Sequence, residues 1–573
     1  MFRILERRAP LVVAAAYLLL ALPLLPLHGV TYDAPALYYA GDRTLFFLTH
    51  PRVPGALDFT SRVEPQGFHS FFSRDDEWED PMRYPVLPGL VAAVVSAVVH
   101  DGLGLLDPAA AHHLGLVLVQ ALALALFAHY TIRFLGFRAG LFAAVALMLF
   151  PSAFGHAFNN PKDWPCAMFY GLAILAAGEG LVNGRARDVL AAGLFLGLSL
   201  ASKLNGVFVL VTLGLWAPVV WFARLRRSEP SEKYRMAAAC LAAPYIAGLV
   251  FLVSWPWIWN APPAGIVERL SRYLSFMAAY GVSPRHTWTW HPLKCLVFMT
   301  PPVVLLASIA ALVAWVRKRD RDTAVRIALL VAWVAVPYLR SMMPRSNFYD
   351  ANRHFIEYVP GLCALAGWGF AQLLEWVDER ARRSSGPLRT ESARRGLGLA
   401  LSAAAAISLL VPLLRYAPFE TAYFNVFTGG LGGAQARALF RMPPPTDRRS
   451  DGTEGDYWYQ SLRVAFVEAA KHVQGPATVV LCDAPTVLGD ANLTGQQFRF
   501  VRLNHPAAPS APLVWVSPRE GACNWRLVRA LESERPVLLR VERGGGLIYE
   551  LLGPRSERRL EPVSSANAYT GGA

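Results

Sequence analysis

The feature that most constrains this chain is a succession of apolar stretches, each long enough to cross a bilayer, with short basic loops between them. The first covers 10–27, behind Arg3, Arg7 and Arg8. Others lie at 112–133, 139–157, 165–182, 188–203, 206–223, 236–259, 295–316, 324–341, 354–376 and 396–415. A membrane-crossing helix needs about 17–25 apolar residues, so this pattern predicts about 11 spans, within bounds of roughly 10 and 13. Composition agrees. Of 573 residues, 54% are hydrophobic and only 17% charged, with a mean hydropathy of +0.32. Ordinary soluble domains carry roughly 25% charge, so a soluble enzyme and a disordered chain are both excluded. The first stretch reads as a retained span. It is long for a signal-peptide core, no small-residue cleavage site follows it, and many spans come after it.

The basic loops fix a direction. They lie at 133–138, 183–188, 224–235, 317–321 and 378–395. Positive charge accumulates in cytoplasmic loops, and placing all five inside makes every second loop basic. The N-terminus is then inside and the C-terminus outside. The apolar segment 86–99 is too short to cross and must stay on the outer side, because a crossing there would turn every later basic loop outward. The same rule accounts for the net charge of +14, so no nucleic-acid partner is inferred. The outer surface is large: a first loop over 28–111, segments 158–164, 203–206, 260–294 and 342–353, and everything from 416 onward. Loops of this length suggest chemistry or binding on that face.

Two domains follow, a membrane module over 1–415 and a small extracytoplasmic α/β domain over 416–573. Strands are expected at 477–481, 498–503, 513–516 and 537–541, and a helix at 459–473. Cys482 and Cys523 either pair in an oxidising compartment or stay as separate thiols. The other four cysteines fall in or beside spans without metal-ligand spacing.

Polar residues gather at the outer ends of spans. Asp33, in Thr-Tyr-Asp-Ala-Pro over 31–35, is a candidate general base; the alternative is a helix N-cap, since Asp before Ala-Pro is a helix-start pattern. Glu79 and Asp80 precede the non-crossing segment and read equally as a charged helix start. Lys162 and Asp163 share the short loop Phe-Asn-Asn-Pro-Lys-Asp-Trp-Pro over 158–165, where a lysine can hold a phosphate or mark a polar turn at the headgroups. Lys203 stands outside without a basic neighbourhood, awaiting an anion or snorkelling to the interface. Arg353 and His354 open a later span and are candidates for an anionic group. No nucleotide-binding glycine loop and no metal-binding His-Glu-x-x-His helix is present.

The order of these segments resembles the GT-C glycosyltransferases, in particular bacterial relatives of the dolichyl-phosphate-mannose–protein mannosyltransferases. Tyr32-Asp33-Ala34-Pro35 matches the start of that family's first outer loop, with Ala34 where a second acid is usual. Glu79-Asp80-Pro81 through Tyr84-Pro85, Asn160-Pro-Lys-Asp163, the stretch 197–203 ending at Lys203, and 353–360 from Arg353 resemble further family segments. Pro418 to Asn425, Gly429-Gly430 and Asp456-Tyr-Trp458 resemble a segment after the last span, with Tyr459 where glycine is usual. The resemblance implies a mainly α, polytopic GT-C-like bundle that moves a sugar from a polyprenyl-phosphate donor to a protein, lipid or glycan acceptor on the outer face, with inversion. Asp33 would be the base. Glu79 and Asp163 would orient the acceptor or tune Asp33, and Lys162, Lys203, Arg353 and His354 would hold the donor phosphate. The resemblance also makes a divalent metal possible here, as in the related oligosaccharyltransferases, although the mannosyltransferase-like members suggest a metal-free reaction. The rival reading is a transporter or lipid flippase, which calls for inverted repeats and ionisable residues at mid-membrane depth. A third is a family member without activity, to which the alanine at 34 points.

Overall fold

The computed structural model describes residues 2–59, 61, 63–72, 84–318, 320–384, 387–440, 454–473, 475–481, 494, 498–503, 505–517 and 525–555. Each of the eleven apolar stretches is helical over most of its length. Among the described residues seven helices are long and apolar enough to cross a membrane: Glu6–Leu27, Pro108–Leu135, Asp163–Asn183, Leu204–Arg227, Pro230–Val253, Arg321–Met342 and Glu391–Tyr416. Two bent pairs raise the count to nine. Phe137–Met148 meets Pro151–Asn159 at 60°, and His291–Met299 meets Pro302–Arg317 at 110°. A proline opens the second helix of each pair, where its fixed φ suits a first turn and its missing N–H ends the preceding helix.

The expectation of about 11 spans is not reached. Ala186–Leu200 has 15 residues, too few to cross unaided. Tyr358–Arg382 has 25 residues, but its glycines, Pro360, Trp368 and Gln372 dilute the apolar residues, and it is not among the helices apolar enough to cross. The segment expected not to cross is the short helix Leu87–Ser96, continued by a π turn to Gly102.

The basic loops meet one another at one end of the bundle. Arg133 pairs with Asp188 at 2.6 Å and with Glu179 at 3.1 Å, and Arg185 also holds Glu179. Arg235 donates to the Gly184 carbonyl, and Arg326 to the Phe134 carbonyl and the Asn183 side chain. Lys318 pairs with Glu375, and Arg394 with Asp378. Helices 108–135 and 163–183 both run towards this end, so their opposite ends, at Asp107 and Asp163, lie together at the other.

At that other end the first loop folds back through the helix Ala34–Thr49, which crosses Leu87–Ser96 at two glycines. A Cβ at Gly41 would stand 2.2 Å from the Gly89 carbonyl oxygen, so only glycine permits this approach. Gly41→Ala is therefore expected to destabilise the protein by about 1–3 kcal/mol through forced separation of the two helices. Thermal unfolding in nanodiscs measures this, and an unchanged midpoint would contradict the packing.

The tail begins by packing on the bundle rather than beside it. The turn Glu420–Ala422 lies against Pro151–Asn159, where Gly155 faces Thr421. Arg463 pairs at 2.6 Å with Asp107, the N-cap of Pro108–Leu135. Beyond it a five-stranded sheet has the order β2-β1-β3-β5-β4, with β1 Ala477–Leu481, β2 Phe498–Arg502, β3 Leu513–Val516, β4 Val537–Arg543 and β5 Gly546–Leu552. β1 runs parallel to β2 and β3, while β5 is antiparallel to β3 and β4. Four of these strands match the expected ones. β5 does not: it is buried at every residue, so it lacks the alternation that marks a half-exposed strand. The helix in this region covers Leu462–Ala469, shorter than expected. Cys482 and Cys523 lie outside the described residues; Cys166, Cys240, Cys295 and Cys363 are not in disulfides.

Candidate active site

Asp33 occupies the N-cap position of Ala34–Thr49, with proline in the first turn, yet its carboxylate makes no capping bond. It turns instead into a buried cluster at the end of the bundle opposite the basic loops. Lys162 and Asp163 reach it from the start of Asp163–Asn183. The Asn160 side chain shapes that turn by accepting from the backbone N–H of Lys162 at 3.2 Å and of Asp163 at 2.8 Å. Lys203 comes from the break between Ala186–Leu200 and the 3-10 turn Leu204–Val207. Arg353 opens the single turn Arg353–Phe355 that leads into Tyr358–Arg382. Ahead of it Asp350 and Ala351 have left-handed φ of 57° and 58°, which bends the chain enough for Asp350 to face Arg353.

Among the described residues, carboxylates and cations alternate through the cluster. Asp33 Oδ2 accepts from Lys162 Nζ at 2.8 Å and from Arg353 Nη1 at 2.5 Å. The same Arg353 nitrogen is 3.4 Å from Asp163 Oδ2, while Nη2 donates to Asp350 Oδ2 at 2.8 Å. Lys203 Nζ donates to Asp163 Oδ1 at 2.5 Å. None of these six side chains is more than 7% exposed. Three carboxylates face three cations, so the buried charge sums to zero, which is how such groups tolerate burial. Aromatic faces complete the lining: Tyr84 lies 4.4 Å from Lys162 Nζ, and Tyr349 and Trp458 flank the Arg353 guanidinium at 5.2 and 4.8 Å.

Burial pushes the Asp33 carboxyl up, but Lys162 and Arg353 outweigh it and hold the group below its ordinary value. Burial pulls Lys162 and Arg353 down, and the neighbouring carboxylates, Asp33 first, outweigh that and keep both firmly charged. His354 behaves differently. Burial and then the positive charges of Arg353 and Lys203 drive its pKa well below the usual histidine value, so it is neutral. Its Nε2 is buried without a hydrogen-bond partner, and its ring lies 4.3 Å from that of Tyr349. Any phosphate contact it makes is that of a neutral ring, not of a cation.

Five of the seven residues singled out in the sequence thus meet in direct ion pairs: Asp33, Lys162, Asp163, Lys203 and Arg353. His354 stands beside them. Glu79 and its neighbour Asp80 lie outside the described residues. Asp350 was not anticipated; its signal is an acid three residues before an arginine in an outer segment. The tail also contributes. Tyr32 N–H donates to the Trp458 carbonyl at 3.2 Å, and Tyr457 Oη and His156 Nε2 are 3.1 Å apart. Tyr459, where the resemblance sets a glycine, has a left-handed φ of 62°, the conformation that favours glycine. Behind the cluster His28 pairs with the fully buried Glu420 at 3.1 Å and stacks on Phe158.

The acids converge on cations and not on a common point. Among the described residues no three His, Cys, Asp or Glu side chains group as metal ligands. Lys162, Lys203 and Arg353 set ammonium and guanidinium groups, the types that pair with phosphate, around one volume.

No protein-family model matches the chain, and no curated protein does. Solved structures do match. ArnT from Cupriavidus metallidurans in the apo state has 13% identity and a TM-score of 0.47, over 96% of this chain and 97% of that one. The Archaeoglobus fulgidus oligosaccharyltransferase in the apo form has 10% identity and a TM-score of 0.47, over 89% and 69%. Arabinofuranosyltransferase AftD from Mycobacteria has 14% identity and a TM-score of 0.44, over 96% and 40%. The solved structures to which this chain is similar thus include two that are named as sugar transferases.

Proposed function

We propose that this protein is a membrane glycosyltransferase that moves a sugar from a polyprenyl-phosphate donor to an acceptor on the outer face of the membrane. The observation that carries the reading is the buried cluster of Asp33, Asp163 and Asp350 with Lys162, Lys203 and Arg353, set at the end of the bundle opposite the basic loops. By the positive-inside rule that end is the outer one. The charges sit at the starts and ends of helices, where the bundle meets the first loop, and not along the middle of the spans, which favours a reaction at that end over a transport path.

In the proposed reaction an acceptor hydroxyl attacks the anomeric carbon as its proton passes to the Asp33 carboxylate. The bond between the anomeric carbon and the phosphate oxygen breaks, and its electron pair leaves with the lipid phosphate. One displacement inverts the anomeric centre. Lys162 and Arg353 stabilise charge as it develops on the departing phosphate, and Asp163, held by Lys203, fixes their positions. The acceptor is a protein, lipid or glycan. Asp33 must be ionised to accept the proton. It is faced by Lys162, Arg353, Asp163, Tyr84 and Tyr349, and its pKa in the free protein lies below the ordinary 3.8. The acid limb of kcat/KM, which reports the free enzyme, is therefore expected below that value; a limb near neutral pH would assign the base to another group.

The test is transfer from a panel of radiolabelled polyprenyl-phosphate hexoses, by purified protein in lipid, to a cell-envelope acceptor fraction. Label appearing in the acceptor fraction is expected. Unchanged donor throughout, with substrate-dependent movement across sealed vesicles instead, would favour the transporter.

A further inference from the structure

We infer that the donor phosphate and the Asp33 carboxylate compete for Lys162 and Arg353, so that donor binding is the event that releases Asp33 as a base. This deepens the proposed function and rests on it. The argument starts from the free protein. Asp33 Oδ2 alone receives both the Lys162 ammonium and one Arg353 nitrogen. A carboxylate holding two cations at this range is a weak proton acceptor, because each stabilises its ionised form. The resting geometry is that of a stored base and not of a working one.

Charge balance supplies the second step. The resting cluster sums to zero in a volume where each side chain is nearly inaccessible to water. A sugar phosphodiester adds one negative charge. Buried charge without a partner is costly, so the two anions share too few cations. Lys203 is committed to Asp163, and Arg353 Nη2 to Asp350. Lys162 Nζ and Arg353 Nη1 are the donors that Asp33 has drawn into the centre, and the phosphate takes them. Asp33 is left ionised beside a new anion, and both changes raise its proton affinity.

The reaction then balances. Before transfer the cluster and donor together carry −1. As the acceptor proton reaches Asp33, the carboxylate becomes neutral and the lipid phosphate gains its second negative charge. The total is still −1, but the charge has moved from Asp33 to the phosphate that Lys162 and Arg353 now hold. The same two cations serve whichever anion carries the charge. Tyr84 and Tyr349 keep the cations in place during the exchange through their ring faces.

The experiment measures binding of undecaprenyl phosphate, with no sugar and no acceptor, to the full chain in nanodiscs, with uncharged undecaprenol as the control. Competition makes an unusual prediction: Asp33→Asn, although expected to lower turnover strongly, should bind the lipid phosphate about tenfold more tightly than wild type, within the 5–150-fold scale of coupled sites. Lys162→Met should bind it at least about tenfold more weakly. Asp33→Ala is measured alongside, so one folded Asp33 variant suffices. Equal or weaker binding by a folded Asp33 variant, with wild type binding the phosphate over the alcohol, overturns the competition and leaves the polyprenyl-phosphate reading intact. Wild type and variants binding phosphate no better than alcohol would overturn both.

Discussion

Arg353→Met should abolish sugar transfer and cost roughly 3–5 kcal/mol of stability, the range for removing one partner of a buried ion pair. The expectation is large because Arg353 is the one cation that reaches all three carboxylates: Asp33 at 2.5 Å, Asp163 at 3.4 Å and Asp350 at 2.8 Å. Methionine fills a similar volume but leaves three buried acids with only Lys162 and Lys203. It also removes the guanidinium lying between Tyr349 and Trp458, so the tail segment that carries Trp458 loses one of its contacts with the bundle. Arg353→Lys restores the charge without the planar fork and cannot bond Asp33 and Asp350 in the same way. It should recover part of the stability and little of the activity. Thermal unfolding in nanodiscs beside the transfer assay reads both quantities. A stable, active Arg353→Met protein would show that the cluster is incidental.

Asp33→Asn should lower kcat by about 10²–10⁴-fold, the usual contribution of a positioned general base, with the fold retained. Asparagine keeps the shape of the side chain and can still accept a hydrogen bond from Lys162. It cannot take the acceptor's proton. The helix start loses nothing, because the Asp33 carboxylate makes no capping bond to Ala34–Thr49, but the cluster loses the buried partner of Lys162 and Arg353, so the fold is retained at a stability lower by about 3–5 kcal/mol. Were Asp33 only a cap, asparagine, an equally good N-cap, would leave both the first turn and turnover intact. Circular dichroism, thermal unfolding and labelled transfer on the same preparation separate the two outcomes. Activity close to wild type would also revive the reading of a family member in which this position carries no chemistry, the reading to which Ala34 points.

The contrast between cap and base shows where sequence reasoning stops. Asp33 before Ala-Pro is a good helix start, and the chain does start a helix there. Nothing within a few residues of Asp33 indicates that its carboxylate turns away from the helix. The partners that turn it are 129 and 320 residues distant. The alternatives for Lys162 and Lys203 were open for the same reason. A polar turn and a snorkelling lysine are local accounts, and each was displaced by a buried acid supplied from elsewhere. Asp350 was overlooked because an acid near an arginine in an exposed-looking segment is ordinary; its left-handed backbone and burial are what give it a place.

Hydropathy and charge bias are properties of a window of residues, so the sequence by itself determined the apolar helices, the short apolar helix Leu87–Gly102, the basic loops between them and four of the five strands of the tail. Its count of about 11 spans exceeds the seven to nine that length and apolarity support among the described residues. Tertiary structure decided the rest. Packing at Gly41 and Gly89 sets the angle of the helix behind Asp33, and packing of Gly171 and Gly361 on Trp333 brings Asp163–Asn183 against Tyr358–Arg382. These contacts draw Asp33, Asp163, Asp350 and three cations into one buried volume. The pairing energy of a charge depends on distance and on the exclusion of water, and both arise only when helices far apart in the chain close on one another.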